Sequence, residues 1–418
     1  MTNVIRKALV VGGGIRHVEV AKILKSYGYF VVLVDYLQHP VAAQYADKHI
    51  CANAFDKEVL LRIATEENVS NIVCVCHDLA IPAIAYVSEK LGLDFPFSYS
   101  CSLDYTVKSR MKAIFRAHGI PSARYLEVGV DSALPKDVEF PLVVKPVDSS
   151  GSRGVSKVEH RADYDIAVRN ACAQSRTSTA IVEEFVTGQE YQVDCYVRNG
   201  VATVVMIRQK LRFDDDAVVS PAGSLVIPFD QVRDVKRFSD LAQKLATAFN
   251  VKTNTLFFQC IDHGGELSMI ELGVRIGGGL SYRMIKEITG FDYLKAAVDA
   301  QLQVQNGDEP RRNPHYYMTN ALFADKCIIG SISGLDFLLQ DGVIDLYDIY
   351  KQAGDVVDGT ITNKNRLAFY MVHGDSRAEI CERMSRVLSS VCVQDKLGSS
   401  CLKSGEYVKL KRKLLQQG

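Results

Sequence analysis

The chain has 418 residues, enough for two to four domains. Its 49 basic and 49 acidic residues balance, which argues against a nucleic-acid-binding protein because such proteins normally carry a basic face. No apolar run reaches the length of a membrane span and the N-terminus shows no signal-peptide pattern, so we expect a soluble, cytoplasmic protein without a membrane partner.

The first hundred residues alternate short β-branched runs with helical periodicity. The strand runs are ALVV (8–11), VVLVD (31–35) and NIVCVC (71–76), and an amphipathic stretch follows each of them. This alternation predicts a parallel sheet covered by helices, in a Rossmann-like domain over residues 1–103. The eleven cysteines are scattered without a CxxC pair, which is typical of reduced thiols and does not predict a zinc site.

Three glycines, Gly12 to Gly14, stand where the first strand turns into a helix. With Asp35 at the end of the second strand, they raise the alternative of a nicotinamide dinucleotide site and an oxidoreductase. That fingerprint requires a third glycine for close helix packing, at the position where this chain has His17. A tight turn between strand and helix explains the same glycines.

From about residue 104 the pattern changes to longer strands with polar faces. A helix over SRMKAIFRAHGIP is followed by the short strands FPLVVKP and TAIVEEFV, and then by YQVDCYV, ATVVMIRQ, LFFQCID and LSMIELGV. These strands indicate antiparallel sheets, covered by helices near 236–249 and 291–303. We therefore predict an α+β region over 104–310 and a C-terminal α+β region over 311–418.

Two segments of the middle region carry residues suited to a nucleotide. In VVKPVDSSGSRGVSKV (143–158), a strand ends at Lys145 and leads into a Ser/Gly loop whose backbone N–H groups can surround phosphate oxygens, although it is not a Walker A motif. In IVEEFVTGQEYQVD (181–194), a strand edge and Glu190 can contact an adenine and ribose hydroxyls. Each segment by itself is also compatible with a plain hairpin or a solvated turn.

A hairpin is predicted from LFFQCID and LSMIELGVR, which HGGE separates. If Gly264, Gly265 and Glu266 form the loop, Gln259 and Glu271 lie opposite each other with Cβ atoms about 5 Å apart. Two oxygen-bearing side chains at this spacing suit Mg²⁺. A two-residue loop would instead shift the register and place them on opposite faces.

The segment IELGVRIGGGL (270–280) places Arg275 and three consecutive glycines beside the predicted metal pair. Backbone in a glycine run can approach a ligand closely and surround an anion. On its own, the segment is also compatible with a strand that ends in a turn beside a surface ion pair.

The order of these motifs resembles the ATP-grasp superfamily, and within it the carboxylate-amine ligase branch that includes biotin carboxylase and carbamoyl phosphate synthetase. Each motif is loose, but five in the right order make the match specific, and it covers about residues 5–390. The resemblance implies an ATP-grasp fold: an N-terminal parallel-sheet domain (1–103), a central domain (104–310) with a mobile lid at about 115–182, and a C-terminal subdomain (311–418). It also implies ATP with Mg²⁺ or Mn²⁺ as cofactors, small carboxylate and amine substrates, and compatibility with a homodimer.

Carried over position by position, the resemblance implies roles for individual residues. Lys108 and Lys145 would hold the phosphates of ATP, and Gln259 and Glu271 would ligate the metal. Arg275, together with Lys145, would act on the transferred phosphoryl group as a catalytic residue.

The resemblance implies further nucleotide contacts around these residues. Glu183 and the backbone near Val186 would contact the adenine, and Glu190 would contact the ribose. The full set of nucleotide contacts is Lys108, Lys145, Ser149, Ser150, Gly151, Ser152, Gly154, Glu183, Glu184, Phe185, Val186, Glu190, Gln259 and Glu271.

One position departs from the family pattern. Where the family usually has Asn two residues after the glutamate, this chain has Gly273, so one metal ligand is missing. A water can fill that place, since Mg²⁺ commonly keeps several, or the second metal binds weakly. The functions left open are a ligase that joins a small carboxylate to an amine through an acyl phosphate, a nucleotide-binding protein with weak or no turnover, and a carboxyphosphate-forming enzyme.

Substrate selection is assigned to the segment IRQKLRFDDDAVVSPAGS (207–224). Its Arg208, Lys210 and Arg212 can hold a carboxylate. A solvated strand and loop is the alternative interpretation.

Overall fold

The computed structural model describes residues 5–134, 138–149, 151–213 and 222–416. These residues build one parallel and three antiparallel sheets covered by helices, which confirms the predicted mixture of α/β and α+β structure. Within the described ranges, none of the helices combines the length and the apolar composition that a membrane crossing requires.

The N-terminal region forms the predicted parallel sheet. Its elements are β1 (Lys7–Val11), α1 (Ile15–Ser26), β2 (Phe30–Asp35), β3 (Lys48–Cys51), α2 (Lys57–Glu66), β4 (Asn71–Val73) and α3 (Ile81–Leu91). The strand order is β3-β2-β1-β4, and every neighbouring pair is parallel. Alternate side chains of β1 and β2 enter two different apolar clusters, since helices cover both faces of the sheet. β4 is shorter than the predicted run NIVCVC, and residues 74–76 leave the sheet.

A second sheet carries the predicted phosphate loop. The elements of this part are α4 (Tyr99–Thr106), α5 (Lys108–Ala117), β5 (Tyr125–Gly129), β6 (Leu142–Pro146), β7 (Ser156–Val158), α6 (Tyr164–Ala173) and β8 (Thr179–Glu184). The antiparallel strand order is β5-β8-β6-β7. Glu183 of β8 is the register partner of Val143, so it lies diagonally across from Lys145 on the same face.

The largest sheet begins in the middle region and carries the predicted metal pair. The elements here are β9 (Gln189–Arg198), β10 (Val201–Leu211), β11 (Gly223–Val226), α7 (Val235–Ala248), β12 (Asn254–His263), β13 (Glu266–Gly273), α8 (Ser281–Thr289), α9 (Tyr293–Gln301) and β14 (Tyr316–Leu322). Helices α7 and α9 occupy the two stretches that were predicted as covering helices. The described part of the predicted substrate segment lies on β10 and β11, and residues 214–221 fall outside the described ranges.

The C-terminal region extends this sheet and adds a small one. Its elements are β15 (Cys327–Ser333), α10 (Leu335–Gln340), β16 (Leu346–Ile349), β17 (Val356–Val357), β18 (Ala368–Gly374), α11 (Arg377–Ser390), β19 (Cys392–Asp395) and α12 (Ser404–Gln416). The eight-stranded sheet has the order β13-β12-β9-β10-β11-β14-β18-β16, and the small sheet has the order β17-β15-β19. Because β11 pairs with β14, the large sheet runs across the predicted boundary at residue 311.

Candidate active site

A cavity of about 380 Å³ collects residues from the four-stranded and the eight-stranded antiparallel sheets, from the phosphate loop and from the C-terminal region. Apart from Gly154, every described residue that was predicted to bind nucleotide or metal, or to act in catalysis, lines it: Lys108, Lys145, Ser149, Gly151, Ser152, Glu183, Glu184, Phe185, Val186, Glu190, Gln259, Glu271 and Arg275. Ser150 lies outside the described residues. Gly154 instead serves the turn, since it has a φ of +71° and a Cβ atom there would lie 2.8 Å from Cγ of Pro146.

The hairpin between β12 and β13 places Gln259 directly opposite Glu271, as predicted. The loop, however, has two residues, Gly264 and Gly265, both with positive φ. A β-bulge at Ile270 adds one residue to β13 and restores the alignment. The expectation that a two-residue loop would separate the pair was therefore wrong, because it left out the bulge.

The Glu271 carboxylate is available to a cation. Among the described residues, none forms a hydrogen bond or an ion pair with it, and Lys108 and Arg275 are close enough to feel its charge. The Gln259 amide nitrogen lies 3.5 Å from Oε1 of Gln192, which leaves the Gln259 oxygen for a cation. One carboxylate and one amide oxygen at the edge of this cavity fit the oxygen ligands that Mg²⁺ prefers.

A side chain of the neighbouring strand occupies the space that the family's Asn ligand would need at position 273. Gly273 is the register partner of Phe257, and a Cβ atom on Gly273 would lie 2.4 Å from Cε1 of that ring. The same ring lies 4.7 Å from the guanidinium carbon of Arg275. The φ of Gly273 is outside the left-handed region, so the constraint on this glycine is steric.

Gly273→Asn should lower the melting temperature, because the ring of Phe257 has to move to admit any side chain. Overpacking of this kind costs about 1–3 kcal/mol. Gly278→Asn is a matched control, since nothing lies within 4 Å of a Cβ atom at Gly278 and its φ is not positive. Thermal unfolding of both variants tests the steric argument, and parent-like melting of Gly273→Asn would contradict it.

A buried charge cluster holds the lysine of the phosphate loop. The Glu183 carboxylate forms ion pairs with Lys145 at 2.8 Å and with Lys112 at 2.9 Å, and all three side chains are at most 7% exposed. Burial works to raise the pKa of Glu183, but Lys145 and Lys112 outweigh it and hold the pKa below its usual value. Glu183 lines the cavity, yet its carboxylate is occupied by two lysines, a role that differs from the predicted adenine contact.

Lys112 was not predicted from the sequence. It lies on the buried face of α5 with Lys108, Met111 and Phe115, at the helical spacing i, i+3, i+4 and i+7. Two lysines within an otherwise apolar stripe are the signal that could have identified it. Lys108 donates from Nζ to the carbonyl of Ser149, which connects α5 to the phosphate loop.

The predicted substrate segment contributes one cation that has no acidic partner within the described part of the chain. Arg208 pairs with buried Asp194 at 2.8 Å, and Arg212 pairs with Glu190, the predicted ribose contact. Lys210 lies between them along β10 and lines the cavity, and it forms no ion pair with any described residue. Burial lowers the pKa of Lys210 to about 8.

The C-terminal region adds a second such cation, Arg366, which was not predicted. Its guanidinium lies over the ring of Phe369 at 4.2 Å and donates to Oδ1 of Asn363. Within the described ranges, the buried Nε has no hydrogen-bond partner and the side chain has no acidic partner. Burial lowers the pKa of Arg366 to about 10. Asn363 also donates to the carbonyl of Gly151, so this part of the C-terminal region contacts the phosphate loop.

The segment 270–280 is anchored to the N-terminal domain. Asp78 forms a bidentate ion pair with Arg275, and the Ile276 N–H donates to the carbonyl of Val75 at 3.0 Å. A Cβ atom on Gly277 would lie 2.6 Å from Nε2 of Gln192, so this glycine permits a close backbone approach. The alternative of a surface ion pair does not describe this segment, because the pair is largely buried and joins residues that are 197 positions apart in the chain.

Gly12, directly after β1, leaves room for the side chain of His17. A Cβ atom on Gly12 would lie 2.7 Å from the imidazole of His17, so that ring fills the space beside Gly12. This packing favours the tight-turn interpretation over a dinucleotide site, which needs open backbone at this place.

Comparison with known proteins finds a family-model match in the middle of the chain. Residues 138–282 match the family model of the ATP-grasp domain. A formate-dependent phosphoribosylglycinamide formyltransferase of Geobacter metallireducens is 27% identical over 185 residues, which are 43% of this chain and 47% of that protein. The match thus spans about half the length of this curated relative.

Two solved structures share the fold over nearly the whole chain. An L-amino acid ligase from Bacillus licheniformis has a TM-score of 0.77 and 17% identity, with 94% of this chain and 100% of that chain covered. The biotin carboxylase domain of the Hydrogenobacter thermophilus 2-oxoglutarate carboxylase, solved with MgADP, ADP and bicarbonate, has a TM-score of 0.72 and 14% identity, with 98% and 94% covered. At these identities the likeness is one of fold.

Proposed function

We propose that this chain is an ATP-dependent ligase that joins a small carboxylate to an amine. The match of residues 138–282 to the ATP-grasp domain model and the fold shared with an L-amino acid ligase support this proposal. The carboxylate of an amino acid or related acid attacks the γ-phosphate of ATP and gives ADP and an acyl phosphate. The amine then attacks the acyl carbon, and phosphate leaves as the amide bond forms. The observation that carries this proposal is the cavity that collects Lys108, Lys145, Arg275 and Glu271, whose carboxylate has no ion-pair partner within the described ranges.

The charges of the site support phosphate binding. The cluster of Lys112, Glu183 and Lys145 carries two positive charges and one negative charge in a buried place, and an ATP phosphate would neutralise the excess. Catalysis of phosphoryl transfer is largely positioning and charge stabilisation, which fixed lysines and an anchored arginine provide. Mg²⁺ held by Gln259 and Glu271 would neutralise charge on the phosphate oxygens when bound.

ATP with Mg²⁺ should raise the melting temperature, while NAD and NADP should not. A ligand that binds only the folded state stabilises it by about 2.7 kcal/mol at a concentration of 100 Kd. Lys145→Met should remove most of the response to ATP, because it deletes a charge-assisted contact worth about 1.5–3 kcal/mol. Thermal shift assays with each nucleotide measure both effects.

Lys236→Met is the control for this experiment. Lys236 pairs with Asp240 on the surface of α7 with 79% of its side chain exposed, so its loss should leave the response to ATP unchanged. A rise in melting temperature with NADP and none with ATP would contradict the proposal. An unchanged thermal response to ATP in Lys145→Met would show that the phosphates bind elsewhere.

Lys210 and Arg366 support a carboxylate as the substrate. Arg208 of β10 and Arg212, just after β10, each form an ion pair with an acid, whereas Lys210 and Arg366 line the cavity without acidic partners among the described residues. Both side chains are partly buried, and a cation with no counter-charge among the described residues is costly to withdraw from water unless a ligand supplies that charge. The acyl donor would therefore place a carboxylate between β10 and the C-terminal region.

The Michaelis constant for the acid should rise as the pH increases through about 8. Lys210 faces Glu190, Arg208, Asp194 and Arg212, and burial lowers its pKa to about 8, so it loses its charge in this range. Lys210→Arg should flatten the rise, since arginine stays charged. Phosphate release measured against acid concentration from pH 6 to 10 tests this, and an identical pH profile in Lys210→Arg would contradict it.

One observation favours a second candidate, a nucleotide-binding protein with weak turnover. Phe257 occupies the space of the family's Asn ligand, so one metal ligand has been replaced by an aromatic ring. A screen of amino acids and small acids with amines for phosphate release separates the two candidates. A thermal response to ATP without phosphate release for any pair would favour the second.

A further inference from the structure

A second cluster of polar side chains lies outside the cavity, at the carboxyl edge of the N-terminal sheet. His17 lies in the first turn of helix α1, and Cys76 and His77 follow strand β4. One ligand atom of each residue lies within 4.8 Å of those of the other two. Cys76 Sγ is 3.3 Å from Nε2 of His17, and the imidazole rings of His17 and His77 stack with centroids 5.4 Å apart.

The cluster is largely buried, and a glycine leaves the space in which its side chains pack. His17 is 2% exposed and Cys76 is 8% exposed, while His77 is the most exposed of the three. Gly12 makes room, because a Cβ atom there would lie 2.7 Å from Nε2 of His17 and 3.2 Å from Cδ2 of His77. Nδ1 of His17 is buried and has no hydrogen-bond partner among the described residues. Polar groups packed this way are costly unless a further partner binds them.

We propose that His17, Cys76 and His77 bind one transition-metal ion of the zinc class. Thiolate and imidazole are the ligands that Zn²⁺ takes, at about 2.3 Å and about 2.0–2.1 Å, and small rotations of side chains already within 4.8 Å of one another reach such a geometry. Three protein ligands leave a fourth position for water. Asp35, buried at the end of β2, supplies negative charge near His17.

A metal ion bound by this cluster would hold together two segments that both contact residues 270–280. Each ligand is the neighbour in sequence of a residue that contacts the segment 270–280. Arg16, next to His17, donates to the carbonyl of Gly279 at 2.7 Å. Val75 and Asp78, which flank the other two ligands, hold Ile276 and Arg275. The ion therefore ties α1 to the segment after β4, and through them it positions the strand end that carries Arg275.

A redox-active thiol is the competing explanation for Cys76 beside His17. Oxidation requires access of the oxidant to the sulfur, and Cys76 is 8% exposed. The second imidazole of His77 also has no part in a simple thiol pair, whereas a metal uses all three groups. The observations therefore favour the metal.

Cobalt titration of the reduced, metal-free full chain tests the proposal. With Mg²⁺ in excess to occupy oxygen-ligand sites, Co²⁺ should produce a thiolate-to-cobalt charge-transfer band that saturates at one ion per chain and disappears on addition of Zn²⁺. Cys76→Ser should abolish the band, and His17→Gln should weaken cobalt binding at least about tenfold. If either variant fails to fold, His77→Gln replaces it, since this side chain is the most exposed of the three.

Cys74→Ser is the matched control. Cys74 is also buried and lies two residues away, but its thiol contacts the backbone carbonyl of His77 and is not part of the cluster. This variant should keep the band. Absence of the band in the parent, or a band of equal strength in Cys76→Ser, would overturn the proposal.

Hydrogen exchange tests the structural consequence. Zn²⁺ should slow exchange of the backbone amides in residues 275–280 of the parent and should leave them unchanged in Cys76→Ser. Parent amides that exchange equally fast with and without Zn²⁺ would overturn the proposed link to the active-site segment.

Discussion

Replacing Glu271 with Gln should reduce phosphate release by at least about a hundredfold, the scale of losing an electrostatic contact to a transition state. The Glu271 carboxylate lines the cavity opposite Gln259 and has no ion-pair partner among the described residues. Glutamine keeps the size of the side chain and removes the charge that a divalent cation needs. Phosphate release at saturating ATP, followed over a range of Mg²⁺ concentrations, measures the effect.

Glu266→Gln is the control within the same strand. Glu266 lies at the exposed end of the hairpin, so its loss should leave the rate unchanged. Glu271→Gln should also keep the thermal response to ADP without Mg²⁺, because its carboxylate is assigned to the cation and not to the adenine. Turnover at the parent rate with every acceptor would show that Glu271 is structural.

The hairpin of β12 and β13 shows which structural features local sequence patterns predict and which they do not. The strand-like runs predicted both strands, and the assumption of a three-residue loop placed Gln259 opposite Glu271. The bulge at Ile270 could not be read from the pattern, because an inserted residue depends on how β13 pairs with β12. Glu271 still faces Gln259 because the loop is one residue shorter than expected and the bulge adds one residue to β13, so the two differences cancel.

The sequence patterns did not predict the contacts between distant parts of the chain. Asp78 and Arg275 are 197 residues apart, and nothing in either local motif indicates the other. Arg366 reaches the cavity from the segment before β18, which carries no recognisable motif. The motifs predicted which residues gather around the nucleotide, whereas their ion-pair partners depend on how the domains pack.

The Glu183 carboxylate should contribute the largest side-chain effect on stability. Glu183→Gln leaves Lys112 and Lys145 buried side by side without a counter-charge, and breaking a buried pair in this way costs about 3–5 kcal/mol. Because the pKa of Glu183 is held below its usual value, this stabilisation is present at neutral pH and is lost as the pH falls through the folded-state pKa. Urea unfolding at pH 7 measures the change in the free energy of unfolding.

The adjacent residue offers a matched control. Glu184 pairs with Arg124 at the surface, where the two side chains are 38% and 86% exposed, so Glu184→Gln should cost less than about 1 kcal/mol. Equal losses in the two variants, or parent-like unfolding of Glu183→Gln, would show that the cluster does not hold the fold.

Second substitutions in the Glu183→Gln background separate the structural role of the cluster from its role in ATP binding. Adding Lys112→Met or Lys145→Met should each recover part of the lost stability, since each removes one of the two unpaired charges. Lys145 lines the cavity with Lys108, whereas Lys112 lies behind it. The thermal response to ATP should therefore survive in the pair with Lys112→Met and disappear in the pair with Lys145→Met. Loss of the response in both pairs would mean that ATP requires the intact cluster and not the charge of Lys145 alone.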